Sequence, residues 1–170
     1  MLEDDVTYYV GYALVVDPRG KVKQCRVEES SGLANLDKYT CRLASIRARL
    51  LPATSSGGEP TYGVYRETTS FWKGDSASSF KRRERYGDLD LSVPAALLPK
   101  GEIQHVSLAL GVNETGATAG CEATKRENNS KLVELACPAA IANIRLLPVQ
   151  DDQGRPVASV QNVKVSIGPR

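Results

Sequence analysis

One segment of the chain decides the fold, because the chain contains it twice. The first copy, at residues 10–64, reads VGYALVVDPRGKVKQCRVEESSGLANLDKYTCRLASIRARLLPATSSGGEPTYGV, and the second copy follows 96 residues later, at 106–160. The alignment needs no gap, and 16 of its 55 positions are identical. Average residue usage would give about a quarter of that number by chance. We interpret the pair as a tandem duplication, which sets the number of structural units before any local element is assigned.

The offset divides the chain of 170 residues into two small units. We predict a first repeat at 1–75, a linker at 76–92 and a second repeat at 93–170. Units of this size bury a small share of their surface, so their cores are marginal without further constraints.

The four cysteines fall into two pairs with the same spacing, Cys25 with Cys41 and Cys121 with Cys137. Zinc ligands usually pair at two to four residues, and a Cys-x-x-Cys redox motif is also missing. One disulfide in each repeat is the simplest interpretation, and it predicts an oxidising compartment. In the loop-entropy model each bond would contribute about 3 kcal/mol. Four reduced thiols in a cytosolic protein remain the alternative.

Hydrophobic periodicity and turn residues predict the same order of elements in both copies. Alternating β-branched and aromatic residues predict strands at Tyr8–Val16, Val22–Ser30 and Pro60–Trp72, and at 103–112, 117–125 and 156–167 in the second copy. Asp17-Pro-Arg-Gly20 is typical of a tight turn, with glycine where a positive φ is needed. Each copy is thus a β-hairpin, a helix and a strand. We predict an α+β fold of two tandem ββαβ repeats, each with a three-stranded antiparallel sheet and one helix.

The first predicted helix, from Leu36 to about Leu50, has two different faces. Bulky residues form one stripe, namely Leu36, Tyr39, Leu43, Ile46 and Leu50, while Cys41 lies opposite with Ala44 and Ala48. A bond from Cys41 to Cys25 would turn the small side toward the sheet, so we expect the bulky stripe to be covered by something else, such as the other repeat. Asn35 is the predicted N-cap. In the second helix, which we predict to be capped by Ser130 and to run to about Ile144, Pro138 should cause a kink or delay the start.

Charge and hydropathy exclude several classes of protein. The net charge is +2, and the basic excess lies in the run Lys81-Arg-Arg-Glu-Arg85 of the predicted linker. Without a basic face elsewhere, we expect no nucleic-acid binding. No apolar run is long enough to cross a bilayer. The start Met1-Leu-Glu-Asp-Asp5 is unlike a native beginning, and it leaves open an inner-membrane anchor or targeting segment outside these residues.

Catalytic chemistry has few candidate residues. His105 is the one histidine, so a histidine metal cluster or a Ser–His–Asp triad built elsewhere is excluded. The acidic groups lie in a terminus and a loop, where charges are usually solvated. We predict no catalytic residues, no metal site, no cofactor and no enzymatic activity.

Several features in a fixed order resemble one family. They are the hairpin Val10-Gly-Tyr-Ala-Leu-Val-Val-Asp-Pro-Arg-Gly20, the segment Cys25-Arg-Val-Glu-Glu-Ser-Ser-Gly32, then Leu36-Asp37, Cys41-Arg-Leu43, Arg47-Ala-Arg49, Pro52-Ala53, the strand to Trp72 and Pro94-Ala-Ala-Leu-Leu98 before the second hairpin. Together they resemble the C-terminal domain of TonB, the periplasmic energy transducer of Gram-negative bacteria, within a cysteine-containing branch. In the second copy, residues 126–128 and Val133 replace Ser30-Ser-Gly32 and Asp37.

The resemblance implies a ββαβ fold and a function without catalysis. A TonB domain pairs its last strand with a short peptide, the TonB box of an outer-membrane transporter, which is a case of strand addition. The corresponding edge here would be formed by Tyr62, Val64, Tyr65, Arg66 and Thr68 of the first copy and Val160, Gln161, Val163 and Lys164 of the second.

The partner and the location follow from the same resemblance. We expect an outer-membrane TonB-dependent transporter or another envelope protein as the partner, and a periplasmic location, membrane-anchored or not. The alternative is a periplasmic scaffold or envelope-assembly module that uses the fold without transporter coupling.

Overall fold

The computed structural model describes residues 6–73, 87–124 and 129–170. The amino-terminal residues 1–5, the basic run 81–85 and residues 126–128 lie outside the described parts. The described elements are, in order, β1 (Thr7–Val16), β2 (Val22–Glu29), α1 (Ala34–Arg47), β3 (Ala53–Thr54), β4 (Pro60–Trp72), β5 (Leu89–Val93), two 3-10 turns (Ala95–Leu97 and Pro99–Gly101), β6 (Gln104–Val112), β7 (Thr118–Ala123), α2 (Ser130–Asn143) and β8 (Ser159–Pro169). We call residues 7–72 the first unit and residues 104–169 the second unit.

The eight strands of the described residues belong to one sheet, with the order β2-β1-β4-β8-β6-β7, while β3 pairs with β4 and β5 pairs with β8. Each unit contributes an antiparallel group of three long strands, β2-β1-β4 and β8-β6-β7. The α+β class is therefore confirmed, but the two groups are joined rather than separate. A merged sheet has fewer exposed edges than two small sheets would have.

The junction between the units is a short parallel pairing. Tyr62, Gly63 and Val64 of β4 lie opposite Ser159, Val160 and Gln161 of β8. Beyond this point β5 takes the place of β4 beside β8, in parallel register from Leu89↔Val165 to Val93↔Pro169. The strand β5 was not predicted, because residues 89–92 fell at the end of the predicted linker.

The two helices lie on opposite faces of the sheet. Helix α1 stands over the face that carries Leu14, Glu67 and Thr69. Val64 points to the other face and lies opposite Gln161, whose neighbours Val163 and Val165 belong to the core of the second unit with α2. Adjacent residues of a strand point to opposite faces of the sheet. Because β4 and β8 are parallel and the helices lie on opposite faces, the two units are related by a rotation about an axis that runs along the strands.

The second unit has the more complete core. Buried residues of β6, β8 and α2 pack with Val93 and Leu98, forming a cluster of Val93, Leu98, Val106, Leu108, Leu110, Leu132, Ala136, Ala140, Val163, Val165 and Ile167. Helix α1 of the first unit buries only Thr40. On the opposite face of that unit, Val149 packs against Ala13, Val15 and Val64. The loop before β8 thus covers the back of the first unit.

Both predicted disulfides are confirmed, Cys25–Cys41 joining α1 to β2 and Cys121–Cys137 joining α2 to β7. The turn prediction is also confirmed. Gly20 has φ 81° and Gly116 has φ 82°, and in each turn the first residue accepts a hydrogen bond from the backbone N–H of the third. Left-handed φ values at both sites explain the requirement for glycine.

The helix boundaries correct the sequence-based predictions. The N-cap of α1 is Leu33, without a side-chain cap, rather than Asn35. Instead, Asp37 accepts hydrogen bonds from the Ser31 amide at 2.9 Å and from the Ser30 hydroxyl. The second helix is capped by Asn129 rather than Ser130, and it includes Pro138 without a later start. The small side of α1 does face the sheet, but the described part of the second unit leaves Tyr39 52% and Ile46 60% exposed.

Candidate peptide-binding edge and groove

The predicted edge residues of the first unit have different surroundings. Tyr62 and Val64 lie in the parallel junction with β8. The Tyr65 hydroxyl donates to the Leu51 carbonyl at 2.8 Å, and burial raises the pKa of this phenol. Thr68 lies beyond the junction, opposite Gly11 of β1. Among these five residues, Thr68 is the one placed where the second unit no longer flanks β4.

Arg66 connects the two units and is only 5% exposed. Its Nε lies 3.2 Å from Glu28 Oε2. One terminal nitrogen donates to the Asn162 carbonyl at 3.2 Å and the other to Gln161 Oε1 at 3.3 Å. The backbone N–H of Arg66 donates to Asn162 Oδ1 at 2.9 Å. These bonds position Arg66 as a link between the strands, with its guanidinium turned away from solvent.

The predicted residues of the second unit lie on a strand that is paired on both sides. Strand β6 flanks β8 from Ser159 to Ile167. On the other side, Val160 and Gln161 face β4, and the Lys164 backbone exchanges hydrogen bonds of 2.7 Å with Asp88. Val163 is 1% exposed and belongs to the core. Peptide binding by these four residues remains a prediction, and it would require β5 or β4 to move.

One strand segment has a different environment. Over Thr68–Phe71, the strand β4 is in register with β1, and no second described strand flanks it there. The equivalent part of β8, 96 residues later, is flanked by β6 and by β5. Strand edges of this kind present backbone groups that can pair with an added segment.

An apolar groove of about 400 Å³ lies beside this segment, between α1 and the sheet. The sheet contributes Tyr12, Leu14, Glu67, Thr69 and Phe71. Helix α1 and the residues after it contribute Thr40, Leu43, Ala44, Arg47, Ala48 and Leu50. This groove was not among the predicted sites. Its signal was the pair Ala44 and Ala48, since small side chains facing a sheet leave space beneath a helix. Leu43 and Leu50, which were predicted to face away with the bulky stripe, border the same space.

The charged residues of the groove are few. Glu67 lies on its floor and Arg47 at its helix side, and apolar atoms form most of the remaining lining. A groove with this composition suits aliphatic side chains together with one or two polar groups.

The candidates for catalysis, metal binding and membrane insertion can be placed on the structure. His105 Nδ1 lies 3.2 Å from Ser166 Oγ, on the exposed side of β6. Across residues 6–73, 87–124 and 129–170, no three His, Cys, Asp or Glu side chains are grouped so that they could hold a metal ion. Within the same ranges no helix has the length and apolar character of a membrane span.

A strand segment flanked on one side, next to an apolar groove, is an arrangement that suits the addition of an extended polypeptide segment. The comparison with known families agrees. Residues 8–71, which run from β1 to β4, match the family model described as Gram-negative bacterial TonB protein C-terminal.

The first unit is therefore TonB C-terminal-like over residues 8–71. The match ends before β5, so the second unit lies outside it. Neither the curated proteins nor the solved structures contain a significant match to the chain.

Proposed function

We propose that this protein is a tandem TonB C-terminal-like module of the Gram-negative periplasm, whose first unit binds an extended peptide by strand addition to β4. The observation that carries the proposal is the combination of the family match at 8–71 with the flank of Thr68–Phe71, where no second described strand pairs. An added strand would bond to the backbone there and place alternate side chains over the groove.

The second unit supports the tandem interpretation through equivalent positions 96 residues apart. The disulfide Cys121–Cys137 repeats Cys25–Cys41. The bridge Gln150↔Pro156 repeats the pairing Thr54↔Pro60. Membership of a cysteine-containing branch and a periplasmic location agree with two disulfides, which persist in oxidising compartments.

The partner that the family favours is the TonB box of an outer-membrane transporter. We propose that such a peptide engages Thr68 and the residues following it, whereas Tyr62, Val64 and Arg66 maintain the junction between the units and Tyr65 holds Leu51 within the first unit. In the second unit β5 already occupies the equivalent edge of β8. One peptide per chain is therefore the proposed stoichiometry.

The test is an NMR titration of the isotope-labelled chain with TonB-box peptides from several transporters. We expect chemical-shift changes at Thr68–Phe71 and in α1, without comparable changes at Val160–Lys164. Saturation at two peptides per chain, with equal changes in β8, would contradict the one-site proposal. The absence of shifts at millimolar peptide would contradict transporter coupling.

A second candidate function is that of an envelope scaffold, and the closed junction favours it. Pairing of β4 with β8, together with β5 beside β8, uses edges that would otherwise accept peptides. A scaffold would present its outer surfaces to a folded partner. Cross-linking in cells distinguishes the two functions, because a transporter-coupled protein would be cross-linked through residues of β4 and α1.

A further inference from the structure

The structure assigns β5 as a built-in ligand of the second unit, and we propose that the groove of the first unit takes a separate peptide of the same kind. That peptide has apolar side chains at every second position and runs parallel to β4. This inference rests on the proposed strand addition and specifies the chemistry of its ligand.

The groove of the first unit corresponds, residue by residue, to a filled core in the second unit. Adding 96 to the sheet residues Tyr12, Leu14, Glu67, Thr69 and Phe71 gives Leu108, Leu110, Val163, Val165 and Ile167. All five of these second-unit residues are at most 1% exposed and lie in one core cluster. The same shift takes Thr40 and Ala44 to Ala136 and Ala140, both completely buried. The open groove of the first unit thus corresponds to the closed core of the second.

The core of the second unit is closed by β5 and Leu98. The strand β5 alternates in burial, with Leu89 and Leu91 partly buried, Val93 buried, and Asp90 and Ser92 exposed. Its apolar residues pack on the cluster of β6, β8 and α2. After Pro94 a short turn brings Leu98, which is 6% exposed, into the same cluster. Five residues of strand and one leucine after the turn therefore cover this core.

The register of β5 against β8 predicts the register of a ligand against β4. Leu89, Asp90 and Leu91 lie opposite Val165, Ser166 and Ile167 in parallel. Subtracting 96 places the corresponding ligand positions opposite Thr69, Ser70 and Phe71. The two apolar ligand side chains, at the first and third positions, would then enter the groove beside Leu43 and Ala44. Parallel direction and this register are specific consequences of the internal example.

The groove also differs from the filled core in a way that affects specificity. Glu67 stands where the second unit has Val163, and Arg47 stands where it has Asn143. Both charged residues line the groove. A ligand of the first unit should therefore tolerate more polar residues at its ends than β5 has there. Its alternating apolar residues remain necessary for binding.

The experiment uses the full chain and a synthetic peptide of residues 87–99, GDLDLSVPAALLP. The control peptide carries aspartate in place of Leu89 and Leu91. NMR titration of methyl- and amide-labelled protein should show shifts at Leu43, Ala44, Thr69 and Phe71 with the first peptide. The control peptide should bind at least about tenfold more weakly, because two aliphatic side chains no longer leave water.

Variants of the protein complete the test. Leu43→Asp places a charge in the groove and should abolish binding, whereas Ile46→Asp, on the exposed side of the same helix, should not. Since Leu43→Asp can unfold the unit, Ala44→Leu provides a second variant that fills the groove with an apolar side chain. Ala44→Leu should weaken the binding of the peptide by about tenfold or more while the disulfide-linked fold is retained.

Three outcomes would overturn the inference. Equal affinity of the two peptides would show that β4 accepts any extended segment, which contradicts the inference and leaves strand addition intact. Shifts confined to β8 and α2 would show exchange with β5 rather than use of the first groove. A chain that dimerises through the groove and excludes the peptide would contradict a separate peptide partner. If neither these nor TonB-box peptides bind at β4, the proposed function fails as well.

Discussion

Arg66 and Asn162 lie 96 residues apart, at corresponding positions of the two units, and they contact each other where β4 meets β8. The backbone N–H of Arg66 donates to Asn162 Oδ1 at 2.9 Å, and the guanidinium donates to the Asn162 carbonyl at 3.2 Å. Equivalent residues can meet only close to the axis that relates the two copies. The junction is therefore centred on this pair, and the first prediction concerns it.

Replacing Arg66 by alanine should destabilise the whole chain. The change removes a buried group that bonds Glu28, Gln161 and Asn162, and it leaves their acceptors without that partner. We expect a loss of about 2 kcal/mol in the free energy of unfolding, measured by urea denaturation. Arg66→Met keeps most of the side-chain volume and separates packing from hydrogen bonding. A loss below about 0.5 kcal/mol for both variants would show that the junction does not depend on this residue.

Removing the two disulfides should have unequal effects on the helices. Each bond closes a loop of the same length, worth about 3 kcal/mol in the entropic model. Helix α1 buries only Thr40, whereas α2 buries Leu132, Ala136 and Ala140. Cys41→Ala should therefore expose the amides of α1 to hydrogen exchange, while Cys137→Ala should leave α2 largely protected. Equal loss of protection in both helices would contradict a packing difference between the units.

Acid should weaken the start of α1 through Asp37. Partial burial tends to raise its pKa, but hydrogen bonds from Ser30 and Ser31 prevail and hold the pKa of Asp37 below its ordinary value of 3.8. The unfolded chain then binds more protons at low pH. The contribution of Asp37 is present above about pH 4 and is lost as the pH falls through the folded pKa. Asp37→Asn should reduce the dependence of stability on pH in this range.

The Ser31 hydroxyl also donates to Asp37 Oδ1, at 2.7 Å. The matched control for Asp37 is therefore Ser31→Ala, which removes this donor and keeps the carboxylate. It should raise the pKa of Asp37 toward the ordinary value, as followed by the carboxyl carbon shift. An unchanged titration in Ser31→Ala would show that the backbone N–H of Ser31 and the Ser30 hydroxyl suffice.

Truncation at equivalent core positions should reveal the open groove. Ile167 is completely buried, and Ile167→Ala should cost about 3 kcal/mol, within the usual range for a large aliphatic residue. Phe71 occupies the equivalent place but lines the groove and is only partly buried. Phe71→Ala should cost about 1 kcal/mol, although phenylalanine is the larger residue. Thermal or urea unfolding measures both, and equal losses would indicate that the groove is closed in solution.

The antiparallel part of the fold was predictable because its signals are local. Alternation in strands such as Tyr8–Val16 and the Asp-Pro-Arg-Gly turn depend on a few neighbouring residues. The largest difference at a predicted strand start is at β8, which begins at Ser159 rather than Pro156. The cap of α1 was misplaced because Asp37 bonds back to Ser31, a contact that spans six residues.

The joining of the units could not be predicted in the same way. Three paired positions between β4 and β8, in parallel and about a hundred residues apart, have no local signature. The strand β5 does carry one, the alternation Leu89, Leu91, Val93, but it is short and follows a polar basic segment. The predicted edge includes Arg66, whose side chain lies buried at the junction, and a contact of Arg66 with a peptide remains a prediction. A side chain such as that of Arg66 is buried by a strand that is distant in the sequence, and the spacing of residues along the chain carries no signal of this burial.

The rotation that relates the units also has an evolutionary consequence. In a dimer of identical chains, the residue at such an axis meets its own copy, so two arginines would face each other or two asparagines would. A single chain that holds both units escapes this restriction, because its two positions can change independently. The unlike pair Arg66 and Asn162 is an arrangement that a symmetric dimer of identical chains cannot form, and it ties the two units to each other within this chain.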